Sequence, residues 1–118
     1  MNTKAEELKA RAKRFAVRVI ELVGLFPRSE TARVIERQLL KSATSVAANY
    51  RAACRGRSKA EFVAKLGIVV EEADETVFWL ELLVDARIMT ADRMAPLLKE
   101  AGELLAIVAA SQRTARMQ

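Results

Sequence analysis

Apolar residues recur every three or four positions in four segments of the chain, a spacing that places them on one side of an α-helix. In the first segment the stripe consists of Leu8, Ala12, Phe15, Val19, Leu22, Val23 and Phe26. Gly24 and Pro27 follow, and both end helices, because glycine tolerates a left-handed cap and proline cannot continue the hydrogen-bond ladder. The pattern therefore predicts a first helix over residues 3–23.

The second segment predicts a helix over residues 30–54 that opens at Ser29 or Thr31, both of which are competent N-caps. Its inward stripe mixes apolar with polar residues and contains Ile35, Gln38, Leu39, Ser42, Val46, Asn49, Tyr50 and Ala53. An amide or hydroxyl without a partner in a helix seam costs about 1–3 kcal/mol. The polar members of the stripe therefore need hydrogen-bond partners on a facing helix.

Carboxylates of the third segment are the predicted partners of these polar residues. We expect a buried polar network of Gln38, Ser42 and Asn49 with Glu72 and Glu75. Polar residues along a helix seam often fix the register of the helices, and that is the favoured interpretation. A ligand site is the alternative.

The third segment follows a break centred on Gly56, and the capping box formed by Ser58 and Glu61 opens it. The predicted helix covers residues 59–87, and its core stripe contains Phe62, Leu66, Val69, Val70, Ala73, Val77, Leu80 and Val84. A second apolar stripe on another side contains Ile68, Trp79 and Leu82. Because a surface helix of a monomer needs only one apolar face, this stripe predicts a contact between subunits. The alternative is that Trp79 covers the end of the core of a single chain.

The fourth segment predicts a helix over residues 91–115 with Thr90 as its N-cap and a frayed tail. Pro96 either starts the helix proper or kinks it. Gly67 and Gly102 lie inside the last two helices, where a close approach of another backbone would explain them. Four helices joined by short connections predict an all-α fold, an up-down-up-down antiparallel four-helix bundle that forms one domain over residues 1–118.

Composition narrows the chemistry that this bundle can perform. The 118 residues include no histidine and one cysteine, Cys54. Without histidine, no Ser-His-Asp or Cys-His nucleophile and no histidine-based metal site can be built. The charged start of the chain does not resemble a signal peptide and no apolar run could span a bilayer, so we expect a cytoplasmic protein without membrane contact.

Charge is unevenly distributed along the sequence. Residues 1–60 hold 14 Lys and Arg against 5 Asp and Glu, whereas residues 61–118 hold 6 against 10. A row of cations runs along the second helix and into the following loop: Arg33, Arg37, Lys41, Arg51, Arg55 and Arg57. Such a row predicts non-specific contact with RNA or DNA phosphates. The alternative is a face that is solvated or that pairs with carboxylates of another subunit.

These observations favour a non-catalytic, self-assembling scaffold or adapter, with a nucleic acid or another protein as its partner. A purely structural oligomer without nucleic-acid contact is one alternative. A carboxylate-metal enzyme is a second, but projection spreads Glu71, Asp74 and Glu81 widely around the third helix. We therefore predict no catalytic residue, no metal and no cofactor.

Three stretches of the chain also resemble a known family. They are residues 37–51, with the motif Ser45-x-x-x-Asn49-Tyr-Arg, residues 58–62, and residues 65–81, which begin Lys-Leu-Gly and continue into an acidic run. The resemblance is to bacterial four-helix bundle proteins encoded in intervening sequences of 23S rRNA genes, and it extends over residues 15–116. This chain has Ala47 where many relatives carry proline.

The resemblance implies a left-handed antiparallel bundle that assembles into a ring-like homo-pentamer. It also implies kinship with accessory proteins of diversity-generating retroelements, which have basic surfaces and associate with reverse transcriptase and nucleic acid. It supplies no catalytic residue that could be carried over to this chain.

Overall fold

A computed structural model describes residues 3–118 of the chain. Four helices follow one another: α1 (Thr3–Val23), α2 (Glu30–Cys54), α3 (Lys59–Asp85) and α4 (Ala91–Met117). Consecutive helices pack against each other, and the bundle measures 46 × 22 × 20 Å. The helix α1 also closes against α4, but that contact is the least extensive in the bundle. The predicted all-α four-helix bundle is confirmed.

Side-chain caps set the start of three helices. The hydroxyl of Ser29 accepts a hydrogen bond from the amide of Ala32, and that of Ser58 accepts one from the amide of Glu61. Thr90 does the same for the amide of Arg93, so α4 begins before Pro96, which lies inside the helix. A capping oxygen satisfies one of the four amides that a helix start leaves unbonded. Local sequence therefore determines where α2, α3 and α4 begin.

The end of α3 lies two residues before its predicted position. Arg87 adopts the left-handed conformation with φ 61°, and the amide of Ile88 donates to the carbonyl of Leu83. This arrangement ends a helix because the chain reverses and the last carbonyls find their donors outside the helical ladder. At the other end of the chain α4 continues to Met117, two residues beyond its predicted end.

One apolar core runs along the bundle and contains the largest buried side chains of each helix. Phe15, Leu39, Leu80 and Leu104 are at most 2% exposed. The core stripe of α3 differs in part from its prediction: Thr76 and Leu83 are buried, whereas Val77 and Val84 are only half-buried. Thr76 tolerates burial because its hydroxyl finds partners inside the bundle, as described below.

The two glycines inside helices have different surroundings. A Cβ atom on Gly67 would lie 3.0 Å from the end of the Gln112 side chain on α4, so its close neighbour is a side chain and not the predicted backbone. A Cβ atom on Gly102 would meet nothing within 4 Å, so close approach does not explain that residue.

Replacing Gly102 with alanine is therefore expected to stabilise the protein. Glycine in a helix interior is about 1 kcal/mol less favourable than alanine, and for a chain of this size that free energy raises the melting temperature by roughly 4 °C. Thermal unfolding followed by circular dichroism measures the change. Gly67→Ala is the matched control, because its methyl group must displace Gln112 and should bring a smaller gain or a loss. Equal gains in the two variants would contradict this explanation.

Candidate interaction surfaces

The six cations of the predicted basic row are all exposed: Arg33, Arg37, Lys41, Arg51, Arg55 and Arg57. Within residues 3–118 none of them forms an ion pair. The charge of Lys41 acts on Glu72 of α3, but burial and the charge of Glu75 outweigh it, so the pKa of Glu72 is raised. The row therefore presents unpaired positive charge on the outer side of α2.

Folding concentrates positive charge at one end of the bundle. The start of α1, the end of α2, the start of α3 and the end of α4 meet there. This end comprises residues 3–9, 51–65 and 113–118, and its cations are Lys4, Lys9, Arg51, Arg55, Arg57, Lys59, Lys65, Arg113 and Arg116. Its carboxylates are Glu6, Glu7 and Glu61. The net charge of this end thus slightly exceeds that of the whole chain, which is +5.

A large cleft opens at the same basic end. Its volume is about 1370 Å³, and its lining combines apolar residues such as Leu8, Phe62 and Ile107 with Lys4 and Arg14. The limited contact between α1 and α4 leaves this space open. Tyr50 borders the cleft from α2; burial raises the pKa of its phenol, and the neighbouring Cys54 adds to that shift.

The second apolar stripe of α3 is divided between the surface and the core. Ile68 is 45% exposed, whereas Trp79 and Leu82 are half-buried and pack against the core. The indole nitrogen of Trp79 is buried and has no hydrogen-bond partner among residues 3–118. The ring of Trp79 therefore covers the core of its own chain, whereas Ile68 stays in contact with solvent, and the contact between subunits stays a prediction.

Phe78 is an exposed aromatic residue that the sequence analysis did not single out. Its side chain is 52% exposed, and its ring meets the Trp79 ring edge-on at a centroid distance of 4.9 Å. Phe78 extends the apolar surface of α3 onto the side of the helix that faces directly away from the core. A helical projection shows this position, since Phe78 follows Ile68 by ten residues and precedes Leu82 by four.

A shallow groove runs between the outer sides of α1 and α2. It has a volume of about 610 Å³, and its lining includes Ala10, Ala16, Val17 and Ile20 from α1, and Thr44, Ala47 and Ala48 from α2. Val17 and Ile20 are 48% and 51% exposed. The remaining lining residues are Glu6, Lys9, Lys13, Arg51 and Arg55. This α1–α2 groove is thus apolar at its floor and basic at its rim, with Glu6 paired to Lys9.

The predicted buried polar network is wrong for Gln38 and Glu75, which are exposed in the chain. Asn49 and Glu72 are half-buried, at the border of α2 and α3. Burial raises the pKa of Glu72, and the nearby charge of Glu75 adds to this shift. Residues at the edge of a seam can turn their polar ends to water, which avoids the cost of desolvation.

Ser42 is the one predicted network residue that is buried, and its partner is Thr76 rather than a carboxylate. The two hydroxyl oxygens lie 3.0 Å apart. Thr76 Oγ1 also lies 2.8 Å from the carbonyl oxygen of Glu72, and Ser42 Oγ lies 3.2 Å from that of Leu39. Each hydroxyl carries one proton, so either Ser42 donates to Thr76 and Thr76 to Glu72, or Thr76 donates to Ser42 and Ser42 to Leu39. Both protons are satisfied in either arrangement.

The hydroxyl pair is expected to couple α2 to α3 by about 1 kcal/mol, the net contribution of a typical hydrogen bond. A double-mutant cycle of Ser42→Ala and Thr76→Val measures this coupling by urea unfolding. Each single variant leaves the other hydroxyl bonded to its own helix, so single losses should stay moderate. Additive effects of the two substitutions would show that the contact contributes nothing.

The helices α1 and α4 are joined by one charged cluster. Arg11 donates to Glu100 twice, from Nε at 2.7 Å and from a terminal nitrogen at 2.8 Å, and that terminal nitrogen also donates to Glu103 at 2.6 Å. These bonds raise the pKa of Arg11, and they lower the pKa of Glu100. The cluster ties together the two helices with the least extensive contact in the bundle.

Neither a metal-ligating cluster nor a membrane span was found among residues 3–118. No three Asp, Glu, Cys or His residues lie together as metal ligands in that part of the chain. Its helices also include none that is long and apolar enough to cross a membrane.

Comparison with known proteins identifies relatives of this bundle. The model of the 23S rRNA-intervening sequence protein family matches residues 5–110. A crystal structure from Bacteroides thetaiotaomicron, described as a protein with unknown function from the S23 ribosomal protein family, shares 31% sequence identity and superposes with a TM-score of 0.86. The match covers 94% of this chain and 99% of that one. No curated protein matches the chain. With the bundle and the family model in agreement over most of its length, the chain belongs to the 23S rRNA-intervening sequence protein family.

Proposed function

We propose that this protein is a self-assembling adapter that acts by binding and not by catalysis. The observation that carries this proposal is the apolar surface on α3, where the exposed Phe78 contacts the half-buried Trp79 close to Leu82, and Ile68 is exposed nearer the start of the helix. Single exposed apolar residues are normal on a monomer, but a contiguous aromatic patch bordered by charges is typical of an interface. The family resemblance adds a subunit number to this proposal, a ring of five chains.

Self-assembly is tested by measuring mass in solution. Light scattering of the wild-type protein is expected to give a multiple of 13.1 kDa, with five chains as the expected number. Phe78→Asp places a charge at the centre of the patch and should give the mass of a single chain. Ala106→Asp, at an exposed position of α4, is the matched control and should assemble like the wild type. A wild-type protein that stays monomeric over a wide concentration range would refute the proposal.

A nucleic acid is the second proposed partner, favoured by the exposed and unpaired cations of the basic row. Lysine and arginine side chains that contact phosphates release counterions, so the affinity falls steeply as salt increases. The regular spacing of Arg33, Arg37 and Lys41 suits successive phosphates better than it suits reading of bases. The expected binding is therefore tolerant of sequence.

A salt titration of RNA and DNA binding tests this partner. The triple variant Arg33→Glu, Arg37→Glu and Lys41→Glu, at exposed positions outside the α1–α2 groove, is expected to weaken binding and to reduce the slope of log affinity against log salt by about 3. Lys99→Glu, an exposed position on α4, serves as the control for net charge. An affinity that is independent of salt, or that the triple variant leaves unchanged, would count decisively against nucleic-acid contact.

A further inference from the structure

The outer side of α3 carries a regular seam. Ile68, Glu71, Glu75, Phe78, Leu82 and Asp85 follow one another at alternating steps of three and four residues, so all six lie in one line along the helix. Five members of the line are exposed, and the half-buried Leu82 also packs against the core. This α3 seam is thus apolar in part and carries three carboxylates.

The α1–α2 groove has the opposite charge and an apolar floor. Its cations Lys9, Lys13, Arg51 and Arg55 outnumber its single carboxylate. Alanines form much of the floor, and small residues allow another helix to approach closely. Val17 and Ile20 provide an exposed apolar strip along the α1 side of the groove.

Pairing of like surfaces is unfavourable for both of these sites. Two α3 seams in contact would bring Glu71, Glu75 and Asp85 of one copy towards those of the other, and like charges across an interface cost free energy. Two grooves in contact would oppose cations and leave concave floors unfilled. A seam in a groove instead sets carboxylates against the cations of the groove and sets apolar residues against its apolar floor.

We propose that the α3 seam of one copy packs into the α1–α2 groove of a second copy, so that the chains associate head to tail. This inference rests on the self-assembly proposed above, and it names the two surfaces that form the contact. Contacts of this kind are heterologous, and they close into a ring or continue as a filament. Arg51 and Arg55 then lie in the interface, where they pair with the acidic seam instead of with phosphates.

The test combines two variants, each of which disables one surface. The groove variant carries Val17→Asp and Ile20→Asp, and the seam variant carries Phe78→Asp. All three positions are exposed, so folding should be preserved, and circular dichroism checks that it is. Each variant alone is expected to weaken self-association by about 100-fold, as loss of an interface hot spot does. Each should then have the mass of one chain.

Mixing the two variants in equal amounts gives the decisive result. The groove variant keeps an intact seam, and the seam variant keeps an intact groove, so one contact forms and the mixture should contain dimers but nothing larger. If the groove variant assembles like the wild type, or if the mixture stays monomeric, the proposed pairing is overturned while self-assembly stands. A wild-type protein that is itself monomeric would overturn both proposals.

Discussion

Replacing Phe15 with alanine is expected to lower the free energy of unfolding by about 3–5 kcal/mol, the usual cost of removing a large aromatic side chain from a packed core. Phe15 is 1% exposed and lies in the core cluster that all four helices share. Its loss leaves a cavity that neighbouring helices can fill only in part. Urea unfolding followed by circular dichroism measures the change. Since natural domains have about 5–15 kcal/mol of stability, this variant should come close to unfolding.

Phe78→Ala is the matched control, with the same side chain removed from a position that is 52% exposed. At low protein concentration its free energy of unfolding should stay within about 0.5 kcal/mol of the wild type. At high concentration, association should stabilise the wild type but not the variant. The free energies of unfolding of the two proteins should then differ. Similar losses for both phenylalanines at low concentration would contradict their assignment to core and surface.

Most of the fold follows from local features of the sequence. The caps at Ser29, Ser58 and Thr90 determine where helices begin, because the hydroxyl of each bonds the amide three residues later. The stripe of α1 predicts its buried face well, although Val17 and Ile20 add exposed apolar residues on another side of the helix. In α3 the run Thr76 to Leu83 contains a single charged residue, so periodicity alone does not show which of its residues face the core.

The surfaces were harder to predict because they depend on how the helices are rotated against one another. Gln38 directly precedes the buried Leu39, and a small rotation of α2 decides whether its amide lies in the seam or in water. The exposure of Phe78 also depends on the rotation of its helix. Of the two neighbouring aromatic residues, Trp79 turns towards the core and Phe78 lies on the surface. The α1–α2 groove combines residues of α1 with residues of α2 that are more than twenty positions away, so it becomes visible only when both helices are placed.

In the folded chain, the basic and the acidic parts of the sequence lie on different surfaces. The basic first half supplies the outer sides of α1 and α2, and the acidic part of the second half lies mainly on α3. The few ion pairs found among residues 3–118 involve Lys9 and Arg11 and leave the basic row and the α3 seam uncompensated. In the proposed assembly, a second copy of the chain supplies opposite charge both to the α3 seam and to Arg51 and Arg55 of the basic row.

Within one chain, the ion cluster that closes α1 against α4 is expected to have the second-largest effect on stability. Arg11→Met should lower the free energy of unfolding by about 2 kcal/mol at pH 7, because hydrogen bonds to charged groups contribute roughly 1.5–3 kcal/mol. The methionine preserves most of the packing volume but leaves Glu100, whose side chain is 19% exposed, without its cation. Arg11→Lys keeps the charge but cannot form the bidentate contact, so it should recover part of the lost free energy of unfolding.

The cost of Arg11→Met should depend on pH in a direction that the pKa of Glu100 determines. The bonds from Arg11 hold this pKa below the ordinary value of 4.5, so in acid the unfolded chain takes up the proton first. The stabilisation is thus complete above about pH 4.5 and disappears as the pH falls through the lowered pKa. Urea unfolding of both proteins between pH 7 and pH 3 should show the two stabilities converging. A difference that stays constant over this range would mean that Arg11 contributes packing and no ionic contact.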